Sequence, residues 1–265
     1  MNPYETDPWE IPSNRLPHHV NSQTAASLRY WASVLSLCTE EIRMYPADEG
    51  GRDVFALGSV IVKSSHLHAR REKSQGAEID YSYTDANESQ AIALAKTVLK
   101  DVKVPENYFA GKINGHQVLV QERLPGVGLC VAWPYLSHSQ RQSYKEQARK
   151  ILYHLHTIKP TTEELGARTH VVPDPHILST NSRISPLEAD ILFSAGQDDP
   201  DMSFMHNDVS QSNCIVNNDT TVGLIDWEMA GFFGWKSAGE VHRRIRTPQR
   251  EHLSMPICRT NSFRV

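Results

Sequence analysis

Most of the residues that could do chemistry in this chain lie in one stretch, Phe204–Gly231, FMHNDVSQSNCIVNNDTTVGLIDWEMAG. It sets His206, Asp208, Asn213, Asp226 and Glu228 around two short apolar runs. Cys214-Ile215-Val216 follows Asn213 directly, and Val222-Gly223-Leu224-Ile225 ends at Asp226. Asn217-Asn218-Asp219 between them is a strong turn signal, so the two runs read as one tight hairpin. Asn213 then stands where the first strand begins and Asp226 where the second ends, side by side in an antiparallel pair. Asp208 is on the loop leading in. The set offers three hard oxygen ligands, or two ligands and a base, with no metal-binding cysteine. Such an inventory suits phosphoryl transfer, which asks for positioning and charge neutralisation more than covalent work. One carboxylate accepts or orients the proton of an acceptor hydroxyl, while a carboxylate and an amide hold Mg²⁺ on a nucleotide's phosphates. A metal-dependent phosphohydrolase needs only the same acidic cluster. A polar hairpin with solvated turn residues needs no chemistry at all.

HNDVSQSN reads as His-x-Asp-x-x-x-x-Asn, and IDWE supplies a second metal carboxylate. On these residues the chain resembles the aminoglycoside phosphotransferase/choline kinase family, distant relatives of protein kinases with the same fold. The resemblance implies ATP and Mg²⁺ as cofactors and a small-molecule hydroxyl as acceptor. It implies Asp208 as catalytic base, Asn213 and Asp226 as Mg²⁺ ligands, and His206 as organiser of the loop. Glu228 either supports those ligands from behind or is simply exposed. The resemblance covers roughly residues 40 to 245. The common family pattern has glycine where this chain has Asn207. Family members usually continue into further helices, so the second lobe reads as shortened. The competing expectation is a kinase-like nucleotide-binding or regulatory protein without turnover.

Lys63 ends the apolar strand Val60-Ile61-Val62. A lysine there either reaches from a sheet to the α- and β-phosphates of a nucleotide or stands in solvent. A helix over Ala86–Lys100 begins Asp85-x-x-Glu88, a capping-box variant. Glu88 also shares a face with Ile92, Ala95 and Leu99. A glutamate at the head of a core-facing stripe needs a cationic partner, and the resemblance implies Lys63. Five strands precede residue 124: Glu41–Tyr45, Val54–Leu57, Val60–Lys63, Tyr108–Lys112 and Gln117–Arg123. Tight turns fall at Gly58-Ser59 and Asn114-Gly115. Gly50-Gly51 lies in the loop that the resembled family lays over the phosphates. Pro125-Gly126 marks a lobe exit. In the resembled fold this is the hinge, where by position Glu122 offers its carbonyl and Leu124 its N–H to adenine, with Gln121 at the back of the pocket.

The expected fold class is therefore α+β and bilobal, protein-kinase-like, with a small five-stranded antiparallel N-lobe carrying one helix and a mainly helical C-lobe. The expected division is 1–39, an arm and a helix; 40–124, the nucleotide-binding lobe; and 125–265, the catalytic and acceptor-binding lobe. The arm's helix spans Gln23–Leu37, with Ser22 as N-cap and a stripe of Leu28, Trp31 and Leu35. In the second lobe, Ser137–Ile158 is an amphipathic helix carrying Tyr144, Ile151 and Leu155. Lys159–Asn181 reads as loop, and Ser185–Ala195 as a helix with Pro186 at its first position. Phe232-Phe233-Gly234-Trp235 either lines an acceptor site or packs beneath the hairpin, and packing is the favoured reading. Arg243, Arg244, Arg246 and Arg250 either attract an anionic acceptor or form a solvated face.

Composition narrows the class. Hydrophobic residues make up 39% of 265 and charged ones 22%, which fits a globular chain with real cores rather than a disordered one. A net charge of -4 argues against a general nucleic-acid binder. No apolar run approaches membrane-spanning length. Cys38, Cys130, Cys214 and Cys258 are scattered without a CxxC pair, so neither zinc nor a disulfide framework is expected. A reducing cytoplasmic setting and a monomer or weak dimer, without nucleic-acid or membrane partners, complete the expectation.

Overall fold

Trp31 and Phe109, with ring centroids 6.0 Å apart, join a helix to a sheet at the heart of the first of two units. The computed structural model describes residues 24–45, 52–65, 67, 80–161, 168–179, 184–194 and 199–246. Ser22, Gly50-Gly51, Arg250 and the segment after it lie outside the described residues. The first unit takes in the described residues up to Asp85 and Pro105–Pro125. Its helix α1 (Ala25–Leu35) is capped by Thr24, whose hydroxyl accepts from the Ser27 N–H at 3.3 Å. It buries Trp31 and Leu35 against the sheet, as the stripe predicts.

That sheet holds β1 (Asp53–Leu57), β2 (Val60–Ser64), β3 (Asn107–Ile113) and β4 (His116–Glu122), in the order β1-β2-β4-β3, all antiparallel. Its inner face buries Phe55, Val62, Phe109 and Val120. The β3–β4 turn pairs Ile113 with His116 across Asn114-Gly115, both at positive φ (51° and 88°), the twist-matched two-residue turn. The expected fifth strand, Glu41–Tyr45, is absent as such. Glu40–Ile42 forms a single 3₁₀ turn, and only Arg43 bridges to Phe55. Arg43 is the reason: its guanidinium is buried and held by Asp53 at 3.2 Å and Glu40 at 2.7 Å, which bends the backbone into a turn.

Helix α2 (Ser82–Val98) starts a turn earlier than expected. Asp85 lies inside the first turn rather than ahead of it, where the buried Arg52 donates to its Oδ1 at 2.6 Å and Gln117 to its Oδ2 at 3.1 Å. From Ala86 onward the helix belongs to the second unit, which also takes in the described chain from Gly126. Ala91, Ile92, Ala95 and Leu99 enter that unit's main core.

The second unit mixes helix with more strand than "mainly helical" allows. Its elements are β5 (Val127–Gly128), α3 (Leu129–Ala132), α4 (His138–His156), β6 (Thr169–His170), α5 (Pro186–Phe193), β7 (Met202–Met205), β8 (Cys214–Asn217), β9 (Thr220–Leu224), β10 (Gly231–Gly234) and α6 (Trp235–Val241). The strands form two three-stranded antiparallel sheets, β5-β8-β9 and β6-β10-β7. Segments of two to five residues carry too little alternation to read as strands in isolation. β6 lies within the expected loop, and β10 is the apolar Gly231–Gly234 run, whose Phe232 and Phe233 are buried. Helix α4 starts from a reciprocal capping box of Ser137 and Gln140 and buries Tyr144, Ile151 and Leu155. Helix α5 begins at Pro186 behind a Ser185 cap, as expected. Among the described residues no helix is long and apolar enough to cross a membrane.

Candidate active site

β7 delivers the chain into the core and ends at Met205, so that His206 is fully buried behind Trp227, with ring centroids 4.4 Å apart. The imidazole joins two strand ends. Its Nε2–H donates to the Ile225 carbonyl at 3.1 Å, and its Nδ1 accepts from the Asp208 N–H at 3.2 Å. Both contacts require the neutral Nε2–H tautomer. Burial enforces it, lowering the pKa to about 4 against the opposing pull of Asp226. The loop organiser expected from the sequence is thus a fixed neutral strut.

Asn207 follows at φ 61°, fully buried, with its Nδ2 donating to the Met229 carbonyl at 3.0 Å. The left-handed region favours glycine and next asparagine, which accounts for an Asn where the resembled pattern has Gly. The turn brings Asp208 forward. Burial pushes its carboxyl above the usual carboxylate range. The nearby Arg246 guanidinium opposes this and the Asp226 charge adds to it.

Strands β8 and β9 form the expected hairpin. Asn217 pairs with Thr220 across Asn218 and Asp219 at φ 46° and 59°. Cys214 pairs with Leu224, and the Ile225 N–H reaches the Asn213 carbonyl at 3.0 Å, so Asn213 and Asp226 stand at the open end of one hairpin. The Asn213 Nδ2 is committed to the Asp208 carbonyl at 3.0 Å, so its amide oxygen is the atom that could hold a cation. Asp226 itself is left-handed, at φ 66° and ψ 64°. A non-glycine residue held there costs energy, and such residues cluster where function requires a given direction. One carboxylate oxygen each from Glu88, Asp226 and Glu228 lies within 4.8 Å of the others. Glu228 therefore joins the site rather than standing apart in solvent. Hard oxygen donors of this kind fit Mg²⁺. Cys214, beside Asn213, offers no thiolate, since burial pushes its pKa up to about 12.

Asn87, next to Glu88, fastens helix α2 to this region. Its Nδ2 donates to the carbonyls of Glu228 and Ala230 at 2.9 and 3.0 Å, and its Oδ1 accepts from the Val172 N–H at 2.8 Å. No sequence pattern marks it. The arginines also separate. Arg243 and Arg244 pair with the neighbouring Glu240, whereas Arg246 turns inward to Asp208.

The remaining expected residues lie in the first unit. Lys63 sits on β2 opposite Val54 and Leu119, buried rather than solvated. Glu122 ends β4, and its carboxylate accepts from the Glu106 N–H at 3.2 Å. Arg123 ties the next step to the β1–β2 turn through Ser59 and Gly58, and Leu124 is buried beyond it. Gln121 gives its amide to Asn107 at 2.8 Å.

The model of the phosphotransferase enzyme family, APH, matches residues 83–232, more than half of the chain, and the chain belongs to that family. The match holds Glu88, Glu122, Leu124, Asp208, Asn213 and Asp226. It begins after Lys63 and ends before Arg246. The structure of the streptomycin-ATP-APH(2")-IIa ternary complex is similar to this chain at a TM-score of 0.51 and 14% identity, over 82% of this chain and 76% of that one. The fold is thus the kinase-like fold of the APH enzymes. Aminoglycoside phosphotransferase APH(3'')-Id from Streptomyces rimosus is matched at a TM-score of 0.46 and 17% identity, over 82% of this chain and 85% of its own. Macrolide 2'-phosphotransferase MphH from Brachybacterium faecium is matched at 0.43 and 12%, over 83% and 84%. No curated protein sequence matches.

Proposed function

We propose that this protein is an ATP- and Mg²⁺-dependent phosphotransferase that moves the γ-phosphoryl group to a hydroxyl of a small molecule. The observation that carries the reading is the convergence of Asp208, Asn213 and Asp226 at the open end of one hairpin, held by the His206 strut. Asp208 is the base that orients the acceptor hydroxyl and takes its proton. Asn213 and Asp226 are the metal ligands, and Mg²⁺ supplies charge neutralisation on the donor's phosphates. Lys63 binds those phosphates, Glu88 supports the lysine, and the backbone at Glu122 and Leu124 receives the adenine. Family membership supports phosphoryl transfer as the reaction class. The ternary complex that this chain resembles holds streptomycin and ATP, which supports ATP as donor and a small-molecule hydroxyl as acceptor.

The test is a thermal titration with Mg-ATP on the parent and on Asp226→Ala. At about 100 times its Kd a ligand stabilises by roughly 2.7 kcal/mol, which raises the melting temperature measurably. The parent is expected to shift and the variant not to. A folded parent that does not shift, or a variant that shifts equally, rejects the assignment.

A further inference from the structure

A single turn of the chain grips three consecutive residues of the Asp208 loop. After α6 the helix widens into a π-helical turn, His242–Arg246. Such a turn places an i, i+4 pair where a regular helix would not and is frequent at functional sites. His242 accepts the Val209 N–H on its Nε2 at 3.0 Å, while its Nδ1–H donates to the Ala238 carbonyl at 2.8 Å. Arg246 donates its Nε to the Asn207 carbonyl at 3.3 Å and approaches the Asp208 Oδ1 at 3.2 Å. Residues 207, 208 and 209 are thus each held from this turn.

The guanidinium is itself anchored. Its Nη2 meets the Glu188 Oε1 at 2.5 Å, and the Glu188 side chain is only 3% exposed, on the first turn of α5. The contrast within the same run of arginines is large. Arg243, paired with Glu240, is 70% exposed, and Arg246 is 19% exposed. An exposed pair of the first kind contributes little and orders little. A guanidinium forked between two carboxylates has a fixed plane and direction.

We propose that Arg246, seated on Glu188, is a positioning residue for phosphoryl transfer. It holds Asp208 by one carboxylate oxygen and leaves the other to face the acceptor hydroxyl. This inference rests on the kinase reading above. A base must lie within hydrogen-bond reach of the proton it takes, and small displacements of it are costly. A free carboxylate on a loop would sample several rotamers. One with an oxygen occupied by an anchored guanidinium does not.

The experiment measures Mg-ATP consumption with water as acceptor in the parent, Arg246→Gln, Arg246→Lys and Arg246→Ala, with Arg243→Gln as control. Melting temperatures are taken alongside. Arg246→Gln is expected to lower kcat by on the order of 10²-fold, the scale of a misplaced group, with the KM for Mg-ATP within about two-fold. Arg246→Lys is expected to recover part of the loss, and millimolar guanidinium ion to recover part of it in Arg246→Ala. Arg243→Gln is expected to match the parent. Unchanged kcat in Arg246→Gln overturns the inference while the kinase reading stands. So does a loss that neither lysine nor guanidinium relieves and that follows the melting temperature. A folded parent whose melting temperature does not rise with Mg-ATP rejects the kinase reading, and this inference with it.

Discussion

The β3–β4 and β8–β9 hairpins close in the same way and end differently. Each turns through two residues at positive φ, Asn114-Gly115 in one and Asn218-Asp219 in the other. Each carries one irregularity in its register. At its open end, however, β4 runs on through Glu122 to Arg123, which is tied by backbone to Ser59. The other hairpin ends at Asn213 and at a left-handed Asp226, with the buried His206 bonded between the Asp208 N–H and the Ile225 carbonyl. A hairpin is therefore made by its turn, but whether it can do chemistry is decided at the other end. There Asp226 holds a left-handed backbone that no hairpin turn requires.

Acid is the sharpest way to part the two. His206 titrates at about 4 rather than its usual 6.5, because burial disfavours the imidazolium. Above pH 6.5 both the folded and unfolded forms are neutral, and the group has no effect. As pH falls from 6.5 towards 4 the unfolded chain binds the proton more readily, so stability is lost, by about 3 kcal/mol at 1.36 kcal/mol per pKa unit. Hydrogen exchange should show the β8–β9 amides losing protection across that window before the β3–β4 amides do. A His206→Gln variant should flatten this part of the pH dependence.

Asn207 gives the next largest effect. Asn207→Ala forces a Cβ residue without a local hydrogen bond into the left-handed region and removes the bond to the Met229 carbonyl. A cost of about 2 kcal/mol in urea unfolding is expected. Asn207→Gly removes the strain and loses only the bond, so it should cost about half as much. Equal costs would show that the bond to Met229, not the backbone, sets the requirement.

The smallest effect tests the likeness of the two turns. Asn114→Ala and Asn218→Ala should each cost about 1 kcal/mol, the left-handed penalty at an exposed turn, and neither should alter the Mg-ATP shift. A loss of the shift in Asn218→Ala would mean that the turn governs the open end after all.

The two hairpins and their turns were legible in the sequence because turn preference and strand alternation act over a few residues. So were the helix that starts near Ser137, the place of Pro186 at a helix start and the strand seat of Lys63. The strand expected at Glu41–Tyr45 and the cap expected at Asp85 were not. Both were overridden by buried arginines, Arg43 and Arg52, whose carboxylate partners are set by the fold. The strands β6, β7 and β10 were too short to show a period.

By itself, the sequence determined that Asp208, Asn213 and Asp226 would meet. Their spacing is fixed by one loop and one antiparallel pair, and hairpin geometry leaves little freedom. Only the tertiary structure decided what surrounds them. Arg246 reaches Asp208 across 38 residues of chain and Glu188 across 58, and Asn87 reaches Glu228 across 141. No local rule operates over such distances. Ion pairs and buried amides of this kind are chosen by which surfaces the core brings together, because a buried charge or amide must be paired wherever the fold leaves it.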